Sequence, residues 1–164
     1  MGYINSYLWR LRQVLGKQVL LMPGAAIVVE NQHQQILLQQ RSDTRQWGFP
    51  GGGGELNQCF EDIAANELQE ETGLIVEPGN FLPFASLSKP KDNTFYYPNG
   101  DVTHYFSLCF LVHQWQGELK AEEGECLAVK FFDPEAFPDA LSVGTQQVMT
   151  HLQNYKLTGK FQLG

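Results

Sequence analysis

An α/β fold, with a twisted mixed sheet under helical cover, is what this chain of 164 residues predicts. Three observations carry that reading. Short runs rich in Val, Ile, Leu and Phe recur along the chain, other segments place apolar residues at helical spacing, and clusters of Gly, Pro and Asn separate them. A hydrophobic content of 43%, with 11 Phe, 6 Tyr and 3 Trp, suffices to close a core and excludes a disordered polymer. No repeat or linker interrupts the pattern, so residues 1–164 read as one domain.

Taken in order, residues 3–15 place Ile4, Tyr7, Leu8, Leu11 and Leu15 on one helical face, with Arg10, Arg12 and Gln13 elsewhere and Gly16 as the stop. The stretch AAIVVENQHQQILLQQ reads as strands over 25–30 and 35–40, joined by a polar turn that leaves His33 solvated. Residues 41–57, with Gly48, Pro50 and the run Gly51 to Gly54, are expected to form a loop. A helix over 58–72 follows, with Asn57 as N-cap and Gly73 just past its end. Strand-like runs then cover 81–87, 94–97, 102–115 and 127–132, and Pro98, Asn99 and Gly100 mark a turn between the second and third. Asp133 and Pro134 read as a helix entry, and Val148, Leu152 and Tyr155 give the closing helix over 142–156.

The formal net charge of −7 is the opposite of what a protein needs to coat a nucleic acid polymer, and a polyanionic substrate would require a metal ion. Cys59, Cys109 and Cys126 are an odd number without close spacing; this argues against a disulfide framework or a CxxC metal site and fits a reducing cytoplasm. The longest apolar run, 19–29, is broken by Pro23 and Gly24 and falls short of the ~20 residues that span a bilayer, so no membrane partner is expected. The opening MGYINS fits the short myristoylation pattern from Gly2 to Ser6 in form only, because an ordinary helix follows it.

Chemistry enters at the 58–72 helix. At about 100° per residue, Cys59, Phe60, Ile63 and Ala64 share one side, Asp62, Asn66 and Gln69 take the other, and Glu67, Glu70 and Glu71 fall on the apolar side. Three carboxylates one turn apart on a face that should enter the core are costly without a cation. The alternative is a solvated acidic last turn, although acids there oppose the helix dipole. The preceding WGFPGGGGELNQ shifts the balance, because its glycines let backbone approach a ligand and their carbonyls suit the oxygen-rich coordination of Mg²⁺.

The stretch from Gly52 to Leu74 resembles the Nudix box, Gx5Ex7REUxEExGU with U aliphatic: Gly52, Glu67, Leu68, Glu70, Glu71, Gly73 and Leu74 match. Gln58 stands where the first Glu is expected and Asn66 where the Arg is expected. Loss of both partners of one ion pair leaves no stranded charge, so the fold should survive; the orientation of Glu67 then needs another support. The resemblance implies an α/β/α sandwich around a mixed sheet. It also implies Mg²⁺-dependent hydrolysis, with Mn²⁺ as substitute, of the pyrophosphate bond in a nucleoside diphosphate linked to a further group. The rival is a nucleotide-binding module of the same fold that has lost turnover.

On that resemblance the catalytic candidates are Glu67, Glu70 and Glu71, and the metal candidates are Glu67, Glu70, Glu71, the Gly52 carbonyl and Glu125. The base is Glu67 or a loop acid such as Glu123 or Glu125. The segment AEEGECLAVKFF resembles the family's acidic loop, with Ala128 where many members carry a second acid. The substrate candidates are Arg41, Glu55 and Tyr96: Arg41 for bidentate phosphate contact, with Arg45 as its alternative, and Tyr96 or its neighbour Tyr97 for stacking on a base. His104 reads as structural. Pro90, sixteen residues beyond Leu74, matches a proline of ADP-ribose hydrolysing relatives. The partner implied is a small-molecule nucleotide, and a homodimer is the assembly to test.

Overall fold

The computed structural model describes residues 4–97 and 99–164; Gly2 of the myristoylation pattern and Pro98 of the expected turn lie outside them. The first helix, α1 (Tyr7–Leu15), starts at Ser6, whose hydroxyl accepts from the Trp9 N–H, and ends at Gly16. Its anchor is Arg12 rather than the apolar face: Arg12 is buried while Ile4 is exposed. The Arg12 guanidinium donates to the carbonyls of Gly16, Gln18 and Val102 and to Thr103 Oγ1, so a side chain with five donors ties the helix to two strand ends.

β1 (Leu20–Val29) begins five residues before the expected strand, because its parallel ladder with a later strand, β7 (Val102–Val112), continues through Pro23 and Gly24. β2 (Ile36–Arg41) matches expectation, and His33 is exposed in the turn before it. The expected loop holds two short strands, β3 (Trp47–Gly48) on β2 and β4 (Gly51–Gly53) on β1. Glycine permits the second: at φ 150° a Gly51 Cβ would stand 2.2 Å from the Ala25 carbonyl oxygen.

α2 (Phe60–Thr72) starts later than expected. Asn57 takes φ 66°, a turn conformation incompatible with an extended N-cap, and Cys59 caps instead, its N–H donating to Asp62. Gly73 closes the helix in the left-handed region, as expected. Next come β5 (Leu82–Leu87), the single turn α3 (Pro90–Asn93), β6 (Thr94–Tyr96), β7 (Val102–Val112) and β8 (Cys126–Phe132). β7 ends before 115 because Gln116 turns away to exchange two backbone hydrogen bonds with Ile75. Asp133 and Pro134 open a turn rather than a helix, with Asp133 accepting from the Glu135 N–H, and Pro138 bars continuation. α4 (Val143–Thr158) starts at Ser142, and β9 (Gln162–Leu163), which the periodicity does not announce, adds in parallel to β5.

The strands form a six-stranded mixed sheet, ordered β4-β1-β7-β5-β9 with β6 on β7, and a second antiparallel sheet, β3-β2-β8. Strand parity sorts the side chains into two cores. Ala25, Ile27, Val29, Leu37, Phe110 and Val112 pack with Ile63, Ala64 and Leu68 of α2. Val28, Ile36, Leu38, Cys109 and Leu111 pack with Val148 and Leu152 of α4. Helices thus cover both faces, which is the expected α/β/α arrangement, and the parallel pair β1/β7 is buried on both sides.

Candidate active site

The acids of α2 do not share one environment. Glu71 is 5% exposed, Glu67 is half-buried, and Glu70 is exposed, which corrects its expected place on the apolar side. The buried stripe runs through Ile63, Ala64, Leu68, Glu71 and Thr72; Glu70 lies on its flank, facing Lys120, Ala121, Glu122 and Glu123 across a shallow cleft. Burial pushes the Glu71 carboxyl up to about 8, against hydrogen bonds from the Gln39 side chain and from the Gly51 N–H at 2.8 Å. Burial likewise pushes Glu67 up to about 7, and repulsion from Glu122, Glu125 and Glu55 adds to it.

β4 brings backbone against these carboxylates. A Cβ at Gly52 would stand 2.6 Å from Glu67 Oε2, so glycine alone leaves room for this carboxylate beside the strand. The Gly52 carbonyl is another matter. The bonds Ile27 N–H to Pro50 O and Gly54 N–H to Pro23 O place Gly52 in the bonded register with Ala25, so its carbonyl points into the ladder with β1. The carbonyl on the edge that faces Glu71 is Gly51's, which corrects the expected ligand by one residue.

Around this centre, Arg41 donates through Nε and Nη2 to both Asp43 oxygens at 3.0 Å. The Asp43 hydrogen bond raises its pKa, and Glu71 and Glu125 act in the same direction, which puts the guanidinium at the rim of the acidic cluster. Arg45 is exposed, with a carbonyl that accepts from Gln40. Glu125 precedes β8, where its carbonyl accepts from the Ser42 N–H; Glu123 is exposed. Glu55, expected as a substrate contact, is engaged with α1: it accepts from the Tyr7 N–H at 2.6 Å and from Arg10 at 3.4 Å. Gln58 accepts from the Glu55 N–H at 2.7 Å and thereby shapes the loop, while Asn66 is exposed on α2.

Tyr96 projects into solvent, 79% exposed. The aromatic at the site is Tyr105, whose hydroxyl lies 3.3 Å from that of Tyr97 and whose ring meets Phe95 edge-on. Burial raises the Tyr105 pKa, and its ring lies against β4, where a Gly53 Cβ would stand 3.5 Å from it. Alternation along β7 was the available signal, since it puts polar Thr103, Tyr105 and Ser107 on one face. His104 holds the Ser88 carbonyl at 2.8 Å, a structural contact as expected, and Pro90 begins α3.

Gln39 was also missed. It is 2% exposed, on the same parity of β2 as buried Leu37, so it points towards α2. Cys126, a thiol pushed up to about 11 by burial, donates to Gln39 Oε1 at 2.7 Å. All three cysteines are free thiols.

The donors that could hold a cation are Glu71, Glu67 and the Gly51 carbonyl. These are oxygen-only donors, and the two carboxylates carry a desolvation cost that a divalent ion would relieve, so the set suits a hard ion such as Mg²⁺. Among the described residues no three Asp, Glu, His or Cys side chains form a ready cage.

The family model described as NUDIX domain matches residues 20–152. A putative 8-oxo-dGTP diphosphatase of Bacillus subtilis (strain 168) is 44% identical over 50 residues, 30% of this chain and 34% of that protein, so the match spans about a third of that relative's length. An 8-oxo-dGTP diphosphatase of Proteus vulgaris is 31% identical over 62% of this chain and 85% of its own. An ADP-ribose pyrophosphatase of Methanocaldococcus jannaschii is 30% identical over 72% of this chain and 66% of its own. Among solved structures, the MutT NUDIX hydrolase from Burkholderia pseudomallei superposes with a TM-score of 0.67 at 21% identity, covering 80% of this chain and 98% of that one. With the box acids in place on α2 and the sandwich around them, the chain belongs to the NUDIX domain family.

Proposed function

We propose that residues 1–164 form one pyrophosphohydrolase that cleaves a nucleoside diphosphate linked to a further group: a nucleotide sugar, an ADP-ribose-like compound or a nucleoside triphosphate. The observation that carries this reading is the pair Glu67 and Glu71, desolvated on α2 against the backbone of β4. Membership of the family supports a divalent metal; relatives named as diphosphatases and pyrophosphatases support the reaction class. A bound Mg²⁺, or Mn²⁺ in its place, supplies charge neutralisation on the pyrophosphate and a more acidic water. Glu71, Glu67 and the Gly51 carbonyl would hold it, with Glu70 and Glu125 at the margin.

The chain's own residues do the rest. Glu67, beside the glycine strand, accepts the proton of the attacking water; Glu125 is the alternative base, from the loop that faces it. Arg41 turns from Asp43 to the substrate phosphates, exchanging one bidentate pairing for another. Tyr105 and Tyr97 give the base an aromatic flank, the role expected of Tyr96 or Tyr97. The free cysteines support a reducing cytoplasm, and among the described residues no helix is long and apolar enough to cross a membrane.

The test is a panel containing ADP-ribose, 8-oxo-dGTP and nucleotide sugars, incubated with Mg²⁺ or Mn²⁺ and read by product identity. Release of a mononucleotide from at least one compound is expected. Tight binding without hydrolysis above the metal-only blank would give the chain to the second reading, a binding module, which Gln58 and exposed Asn66 favour.

A further inference from the structure

Gln39 is a long polar side chain buried to 2% exposure between the acidic loop's strand and the box helix. Oε1 accepts from the Cys126 thiol at 2.7 Å, and the side chain points towards α2, where it lowers the pKa of Glu71. With Oε1 taken by the thiol, the NH₂ is the end of the amide left for Glu71, and a donor there favours the ionised carboxylate, which matches the lowering that Gln39 exerts. The Gly51 N–H completes the hold on Glu71 from the other side, at 2.8 Å. Gln58 is meanwhile committed to the Glu55 N–H and Asn66 is exposed. The hold on Glu71 thus comes from β4 and β2 rather than from the two altered box positions.

We infer that Gln39 and Cys126 are positioning residues: together they orient the Glu71 carboxylate for its cation, linking β8 through β2 to α2. Register makes the link possible. β2 pairs with β8 at Gln39↔Val129 and Arg41↔Cys126, and the irregularity between Gln40 and Arg41 turns the Cys126 thiol towards Gln39. Gly51 fixes one oxygen of Glu71 and Gln39 limits the swing of the carboxylate, so neither rotation nor retreat into the core is free. A thioether in place of the amide would keep the volume but lose the donor, and removal of the thiol would leave a buried amide oxygen unpaired.

The inference rests on the metal reading above, and its test is metal affinity measured apart from turnover. Mn²⁺ is titrated calorimetrically into the metal-free full chain as wild type, Gln39→Met, Cys126→Ala and Cys126→Ser, with near-ultraviolet circular dichroism to establish that each is folded. Removing a support of a ligating side chain weakens metal binding about 10- to 100-fold, so Gln39→Met should raise the Mn²⁺ Kd by at least about tenfold. Cys126→Ala should raise it less, and Cys126→Ser, which keeps a donor, should recover most of that loss. In turnover, kcat should fall at saturating nucleotide while KM holds, and higher Mn²⁺ should restore part of it; loss of general stability would produce neither result. If Gln39→Met does not fold, the Cys126 pair decides alone. Unchanged Mn²⁺ affinity in the folded variants would overturn the inference, as would a wild type that binds no Mn²⁺. A wild type that binds Mn²⁺ but hydrolyses nothing would overturn the hydrolase reading alone.

Discussion

Glu71 and Glu67 sit in places where the charged form is expensive, and that cost sets how each responds to substitution. Glu71 is the more buried and has the larger shift, to about 8. Glu71→Gln should therefore weaken Mn²⁺ binding by at least about tenfold. Glu70→Gln should weaken it less, because Glu70 is exposed. Calorimetric titration of the two variants ranks them, and equal losses would mean that Glu70 swings into the cluster when metal arrives. The acids were legible because their spacing is a local property of one helix. Gln39 and Tyr105 were not: what makes Gln39 matter is Cys126, 87 residues away, and neither periodicity nor charge counting reports such a partner.

β4 shows how little side chain an element needs when its work is done by backbone. A methyl group at Gly52 would meet Glu67 Oε2 at 2.6 Å, and the carboxylate is the part that can yield. Gly52→Ala should thus lower kcat/KM at least about tenfold through Glu67, while changing chemical-denaturation stability by less than about 1 kcal/mol. A large stability loss with intact activity would show that the strand, not the carboxylate, had moved. On α2 a stability cost is expected: Leu68 is fully buried in the core that α2 shares with β1 and β7, and Leu68→Ala should cost about 2–5 kcal/mol in denaturant unfolding. Helix ends at Gly16 and Gly73 could be read from single residues, whereas β3, β4 and β9 exist through their partners, so glycine-rich or two-residue stretches give no local sign of them.

At the scale of the molecule, the two raised carboxyls make stability depend on pH in a definite sense. Their folded pKa values, about 7 and about 8, lie above the ordinary 4.5, so the folded state holds protons that the unfolded chain has released. The stability they contribute is complete below about pH 4.5 and is lost as pH rises through their folded values. The Tm of the metal-free protein should fall between pH 5 and 8, the fall should be smaller in Glu71→Gln, and Mn²⁺ at pH 8 should recover it; a flat profile would mean that both groups are solvated. The two-core arrangement has a different consequence, for which lengths of chain can change. β1 feeds α2's core with Ile27 and Val29 and α4's core with Val28, so inserting one residue before Ala25 would exchange the two sets and carry Gly24 out of line with Gly53. Surviving insertions and deletions should be absent from β1 and should collect in the turn 133–136, whose four residues are all exposed and belong to neither core.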